Sequence, residues 1–134
     1  MECISNIVVL FVDDELDVLS SLRRFLRKEP YCMLFAESGE KALHIMASRQ
    51  VAILVSDLRM PEMDGLALLN QVKKRYPETK RLILSATTDM EEIADAIDNG
   101  EVLRFIHKPL DPEPFKNAIR EAVDIYMLGK IDSD

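Results

Sequence analysis

Three carboxylates and one lysine in this chain stand where they could act on one another. Asp13 and Asp14 follow the apolar run "NIVVLFV" (6–12), Asp57 closes "VAILVSD" (51–57), and Lys108 follows "VLRFIH" (102–107). Brought together, Asp13, Asp14 and Asp57 would repel: two like charges about 4 Å apart cost about 4 kcal/mol at a surface-like dielectric. A proton or a cation has to relieve that. Mg²⁺ suits such a place, because it takes oxygen ligands and keeps several waters beside a few carboxylates and phosphate oxygens. Lys108 would add positive charge from the other side. A site of this kind can accept a phosphoryl group: cations neutralise its oxygens while a carboxylate attacks. Asp57 stands alone at the end of its run, beside the loop "LRMPEMDG", and is the candidate nucleophile.

These residues need a scaffold that delivers them to one place. Five apolar runs alternate with five helical patterns: the three above, together with "CMLFAE" (32–37) and "RLILSA" (81–86). Several runs are apolar on both faces, as parallel strands covered by helices are. The second and fifth are more mixed and read as edge strands. The helical stripes are Val18, Leu19, Leu22, Phe25 and Leu26, stopped by Pro30; Leu43 and Met46, capped by Ser38; Leu66, Leu69 and Val72; Met90, Ile93, Ala94 and Ile97, with Gly100 as a stop; and Phe115, Ala118, Ile119, Ala122, Val123 and Tyr126. Pro112 and Pro114 suit the first turn of the last helix, where a missing N–H costs little. Strict alternation predicts an α/β fold with right-handed crossovers. Five units do not close an eight-stranded barrel. The expected result is a flavodoxin-like, doubly wound, five-stranded parallel sheet of order 2-1-3-4-5, an order taken from the fold class. Ligands of such sheets bind beyond the carboxyl ends of the strands. Four of those ends carry Asp13-Asp14, Asp57, Ser85 and Lys108.

Composition narrows the partners. The chain has 134 residues, the size of one domain, and 48% apolar residues, enough for a core. Its net charge of -7 argues against nucleic-acid binding by this domain, which needs a basic footprint. No run approaches a bilayer span, and the N-terminus does not read as a signal segment. A cytoplasmic protein is expected, with Cys3 and Cys32 as two reduced thiols. There is no internal repeat and no glycine-rich phosphate loop.

At this point a family resemblance enters. "LFVDDELDVL", "VSDLRMPEMDGL", "LILSATTD" and "FIHKPLDP" resemble, in order, the acidic-pair, phosphoacceptor, switch-hydroxyl and Lys-Pro motifs of bacterial response-regulator receiver domains. The likeness covers about residues 5–127. It implies a receiver domain over 1–127 and a C-terminal tail or linker over 128–134. Asp57 would take a phosphoryl group from a sensor histidine kinase, a phosphotransfer protein or a small phosphodonor. Asp13, Asp14, Asp57 and the Arg59 carbonyl would hold Mg²⁺ or Mn²⁺. Lys108 would contact the phosphoryl oxygens, ahead of a cis Lys108-Pro109 bond. Ser85 and Phe105 would form the switch, and Arg59 and Thr87 would tune dephosphorylation. The fourth helix, fifth strand and fifth helix would then change shape to control an output domain, and could carry a homodimer. The chain would catalyse only its own phosphotransfer and slow dephosphorylation, and would be no enzyme towards other substrates.

"NGEVLRFIHKP" is one residue longer than in a typical chemotaxis receiver. It resembles a variant found in receivers attached to HD-GYP-type outputs and in some hydrogenase regulators. Other readings divide on single residues. A haloacid-dehalogenase-type phosphatase needs a second Asp two residues after the first, where this chain has Arg59. A receiver-like module that no longer signals would not need Asp13, Asp14, Asp57, Ser85 and Lys108 intact. Taken singly, the acidic pair could cap a helix, Asp57 could form a turn, Ser85 and Phe105 could be core, and Lys108 a surface charge. His44 and His107 read as structural, and Arg23-Arg24 and Lys73-Lys74-Arg75 as solvated helix faces.

Overall fold

Alternating apolar segments settle into alternating elements. In the computed structural model, which describes residues 6–86, 90–98 and 102–132, the order is β1 (Val8–Val12), α1 (Leu16–Leu26), β2 (Cys32–Ala36), α2 (Gly39–Ser48), β3 (Ile53–Ser56), α3 (Gly65–Arg75), β4 (Lys80–Ser85), α4 (Met90–Asp98), β5 (Arg104–His107) and α5 (Pro112–Asp132). The strands form one sheet of order β2-β1-β3-β4-β5, and every pair is parallel. The expected fold is therefore present, with the second and fifth strands at its edges. Cys3, Thr87 and Gly100 lie outside the described residues.

Successive strand residues point to opposite faces, and two cores result. Val8, Leu10, Val12, Leu54 and Ile83 pack with residues of α2, α3 and α4. Val9, Phe11, Ile53, Val55, Leu82 and Leu84 pack with α1 and α5. Strands buried on both faces need no polar alternation, which is why β1 is apolar throughout. Phe11 stacks on Phe35 at 5.5 Å and tilts against Phe115 at 6.2 Å, tying β1 to β2 and α5.

Local signals act at three helix starts. Ser38 caps α2 by accepting from the Lys41 N–H, and Asp64 caps α3 by accepting from the Ala67 N–H. Pro112 opens α5. Three expectations need correction. First, α1 stops at Leu26, ahead of Pro30. Second, Ile93 and Ala96 are the buried face of α4, whereas Ala94 is exposed and Ile97 is 43% exposed. The helix is rotated about its axis so that a small residue, not the second isoleucine, meets the sheet. Third, Cys32 is disulfide-bonded rather than a reduced thiol. It pairs with Val8 in register and its N–H bonds the Ile7 carbonyl, so the chain leading into β1 runs beside it. Distance along the sequence is no measure of distance across a parallel pair.

One core residue is incompletely satisfied. Tyr31 is buried, and its hydroxyl has no hydrogen-bond partner among the described residues. Burial, then the nearby Glu29 charge, push its phenol pKa up. Glu29 itself is held by Arg120 of α5 through two bonds of 2.9 and 2.8 Å. A buried hydroxyl without a partner costs stability, and its removal at constant shape does not. Tyr31→Phe is therefore expected to leave stability unchanged or raise it by about 1 kcal/mol in urea unfolding; a loss of that size would show that the hydroxyl is bonded in solution.

Candidate functional site

Because all five strands run the same way, their carboxyl ends form one rim. β1 delivers Asp13 and Asp14, β3 delivers Asp57, and β5 delivers Lys108. The Asp57 N–H bonds the Val12 carbonyl at 2.9 Å and the Asp13 N–H bonds the Ala36 carbonyl at 3.1 Å, extending the ladders one step past the strands. The acids are thus held by backbone bonds as well as by their side chains.

One oxygen from each of Asp13, Asp14 and Asp57 lies within 4.8 Å of the others. Asp13 is 2% and Asp57 6% exposed, while Asp14 faces solvent. The Lys108 ammonium sits against them, 2.8 Å from Asp13 Oδ2 and 3.3 Å from Asp57 Oδ2, with Glu15 Oε1 at 3.4 Å. Burial raises the Asp13 carboxyl above its ordinary pKa, outweighing Lys108 and the Glu15 N–H, and the Asp57 charge adds to the rise. Burial alone would lower Lys108, but its bond to Asp13 and the charges of Asp13 and Asp57 hold it above its ordinary value. Three converging carboxylates and Glu15 face a single ammonium among the described residues, so the cluster carries surplus negative charge. An all-oxygen donor set with surplus negative charge fits a hard divalent cation.

Ser85 is buried at the end of β4, opposite His107 in register, and its carbonyl accepts the Lys108 N–H at 3.0 Å. Phe105 is half-buried and packs on the α2–α4 side, edge-on to the His107 ring at 5.8 Å. The Lys108–Pro109 bond is cis. Arg59 is exposed, and its N–H reaches Asp57 Oδ1 at 3.4 Å. His44 is exposed on α2, away from the acids. Arg23 lies 4.5 Å from the centre of the Phe35 ring, so one of the basic pair does more than face water.

Two residues matter more than the sequence reading gave them. Glu15 completes the shell around Lys108, and its only sequence signal is that it follows the acidic pair. Gly65 begins α3 directly against the backbone of Asp57. A Cβ there would collide with the Asp57 carbonyl oxygen and come within 2.8 Å of the Leu58 Cα. Its N–H bonds the Leu58 carbonyl at 2.9 Å. The Asp-Gly pair in the loop is thus needed for a close approach as well as a turn. The same loop holds Glu62 at φ 68°, and Met63 covers Gly39, where a Cβ would lie 2.7 Å from its sulfur.

Comparison with known proteins agrees with this geometry. Residues 9–120 match the family model "Response regulator receiver domain". The chain is 33% identical over 116 residues to the hydrogenase transcriptional regulatory protein HoxA of Cupriavidus necator, covering 87% of this chain and 24% of that protein. It is 34% identical to the transcriptional regulatory protein GlrR of Escherichia coli, covering 87% and 26%. A crystal structure of the signal receiver domain of an HD domain-containing protein from Pseudomonas fluorescens is 35% identical, with a TM-score of 0.86, covering 90% and 97%. This chain belongs to the response-regulator receiver family, whose members are phosphorylation-activated switches of two-component signalling. It spans about a quarter of the length of those curated relatives. Among the described residues, no helix is long and apolar enough to cross a membrane.

The two glycines offer a contrast that can be measured. At Gly65 the added carbon meets backbone, which cannot give; at Gly39 it meets the end of a methionine, which can. Gly65→Ala should cost about 3 kcal/mol or more, and Gly39→Ala less than half of that, in denaturant unfolding. Equal losses would mean that the loop under Asp57 is not packed as described.

Proposed function

We propose that this chain is the receiver of a two-component system and that Asp57 is its phosphoacceptor. The observation that carries the reading is the meeting of Asp13, Asp14, Asp57 and Lys108 at one rim of the sheet. In the reaction, an Asp57 carboxylate oxygen attacks phosphorus, the P–N bond of a phosphohistidine breaks, and the imidazole leaves with the electron pair. An acyl phosphate remains on Asp57. Lys108 faces the oxygens that gain negative charge. Asp13, Asp14, Asp57 and the Arg59 carbonyl would hold Mg²⁺ or Mn²⁺, which when bound neutralises phosphoryl oxygens. Arg59 and Thr87 would set how fast the acyl phosphate hydrolyses. No other substrate is turned over.

In this reading the signal leaves through Ser85. Its hydroxyl bonds the new phosphoryl group, and the space it vacates admits the Phe105 ring, which is only half-buried here. The α4–β5–α5 face then changes shape, a population shift between two packings. Ile97 and Leu103, 43% and 41% exposed, lie on that face and could join two copies. The phosphoryl donor would be a sensor histidine kinase or phosphotransfer protein. We assign residues 1–127 to the receiver and 128–134 to a tail or linker; α5 runs through this boundary to Asp132, a direct path to an output domain. An HD-type output is supported by the Pseudomonas neighbour, and a transcriptional one by the names of HoxA and GlrR. A cytoplasmic location without membrane or nucleic-acid contact by this domain suits its acidity and kinase partner.

One experiment with acetyl phosphate and Mg²⁺ tests the reading. Intact mass should rise by one phosphoryl group that is lost at high pH, and Asp57→Asn should gain nothing. Ser85→Ala should still gain it, but with a smaller change in amide exchange over α4 and β5. No adduct, an adduct surviving in Asp57→Asn, or rapid turnover of generic phosphate esters defeats the assignment. An unaltered exchange response in Ser85→Ala removes the switch role.

A further inference from the structure

Lys108 is surrounded by three carboxylates that differ in kind. Asp13 and Asp57 belong to the group whose oxygens converge within 4.8 Å, and so they are both its partners and the metal's ligands. Glu15 is not in that group, yet its Oε1 lies 3.4 Å from the Lys108 ammonium. Its backbone N–H bonds Asp13 Oδ1 at 2.9 Å, which places its side chain at the mouth of the site, 62% exposed beside a lysine that is 13% exposed. A cation entering the acidic cluster competes with Lys108 for the Asp13 and Asp57 carboxylates. An ammonium has three protons to donate and no way to dispense with acceptors in a buried place. Among the three carboxylates around Lys108, Glu15 is the one outside the converging group and remains for the ammonium.

We propose that Glu15 is a positioning residue: it receives Lys108 when the metal takes Asp13 and Asp57, and so keeps the ammonium at the rim for the incoming phosphoryl oxygens. The inference rests on the metal-binding reading above. A carboxylate acting only as bulk negative charge would attract Mg²⁺ whether or not Lys108 is present. A carboxylate acting through Lys108 matters only while that lysine is there to be moved.

The test is a double-mutant cycle on Mg²⁺ affinity, measured by titration calorimetry with MgCl₂ alone. Glu15→Gln should weaken binding about fourfold with Lys108 present, but less than twofold in Lys108→Ala. Glu15→Asp should lie between Glu15→Gln and wild type. Asp17→Asn, an exposed acid lining a surface pocket together with Lys108, gives the baseline for charge loss and should change affinity less than twofold. Acetyl phosphate supplies a second readout with opposite signs. Losing a bystander charge would speed reaction with an anionic donor, whereas losing the positioning residue should slow it severalfold at saturating Mg²⁺. Equal effects of Glu15→Gln in both backgrounds, an Asp17→Asn effect as large, or faster phosphorylation overturns the role of Glu15. Undiminished Mg²⁺ affinity in both Asp13→Asn and Asp57→Asn would instead overturn the metal reading beneath it. Circular dichroism melts of each variant show that losses are not failures to fold.

Discussion

The rim of this sheet is held by one ammonium among several carboxylates. Lys108 arrives from the last strand and meets acids from the first and third, so a single charge spans the segments that form the site. Removing charges from water is costly, and attraction between them returns that cost only with good geometry. Here the attraction is incomplete. Asp13 is held above its ordinary pKa by burial despite its 2.8 Å contact with the lysine. The cluster is not built for maximal stability on its own. It is built so that added positive charge, or the exchange of one partner for another, changes its energy substantially. That sensitivity is what a switch needs.

The scaffold makes this tension tolerable. Both faces of the sheet carry a closely packed apolar core, and the Phe35–Phe11–Phe115 contacts run through one of them. The strands are buried and their bonds continue one residue into the rim. The other side of the balance is the α4–β5 region. There α4 meets the sheet through Ile93 and Ala96, and Ile97 and Leu103 remain near the surface. Among the described residues of β5, Arg104 and His107 are exposed and Phe105 and Ile106 half-buried, and an edge strand of this kind shifts at lower cost than a buried one. Rigid delivery of the acids and loose packing of the far strand therefore coexist in one small sheet.

Much of this was legible from residue order. Strands buried on both faces are unbroken apolar runs, and strict alternation with helices leaves few topologies. The rule that ligands meet strand carboxyl ends then picked out Asp13, Asp14, Asp57, Ser85 and Lys108 together. What escaped was set by three-dimensional detail. The rotation of α4 depends on which of two small apolar steps meets the sheet, and its periodic pattern allowed both. The bonded state of Cys32 is not encoded in its neighbours along the chain. Glu15 looked like one more acid at a helix start, because nothing in its neighbours reveals a lysine arriving from the far end of the chain. Gly65 showed as a turn former, but the backbone beneath it was invisible until the loop was folded.

That last contact has a consequence for inheritance. Asp57 and Gly65 stand in one loop, yet random mutation would strike them differently. On the proposed reading, a changed Asp57 would leave a well-made protein that no longer takes a phosphoryl group. A changed Gly65 has no such refuge, because any side chain would enter the main chain at Asp57 and Leu58. The residue without chemistry is the one with fewer evolutionary exits.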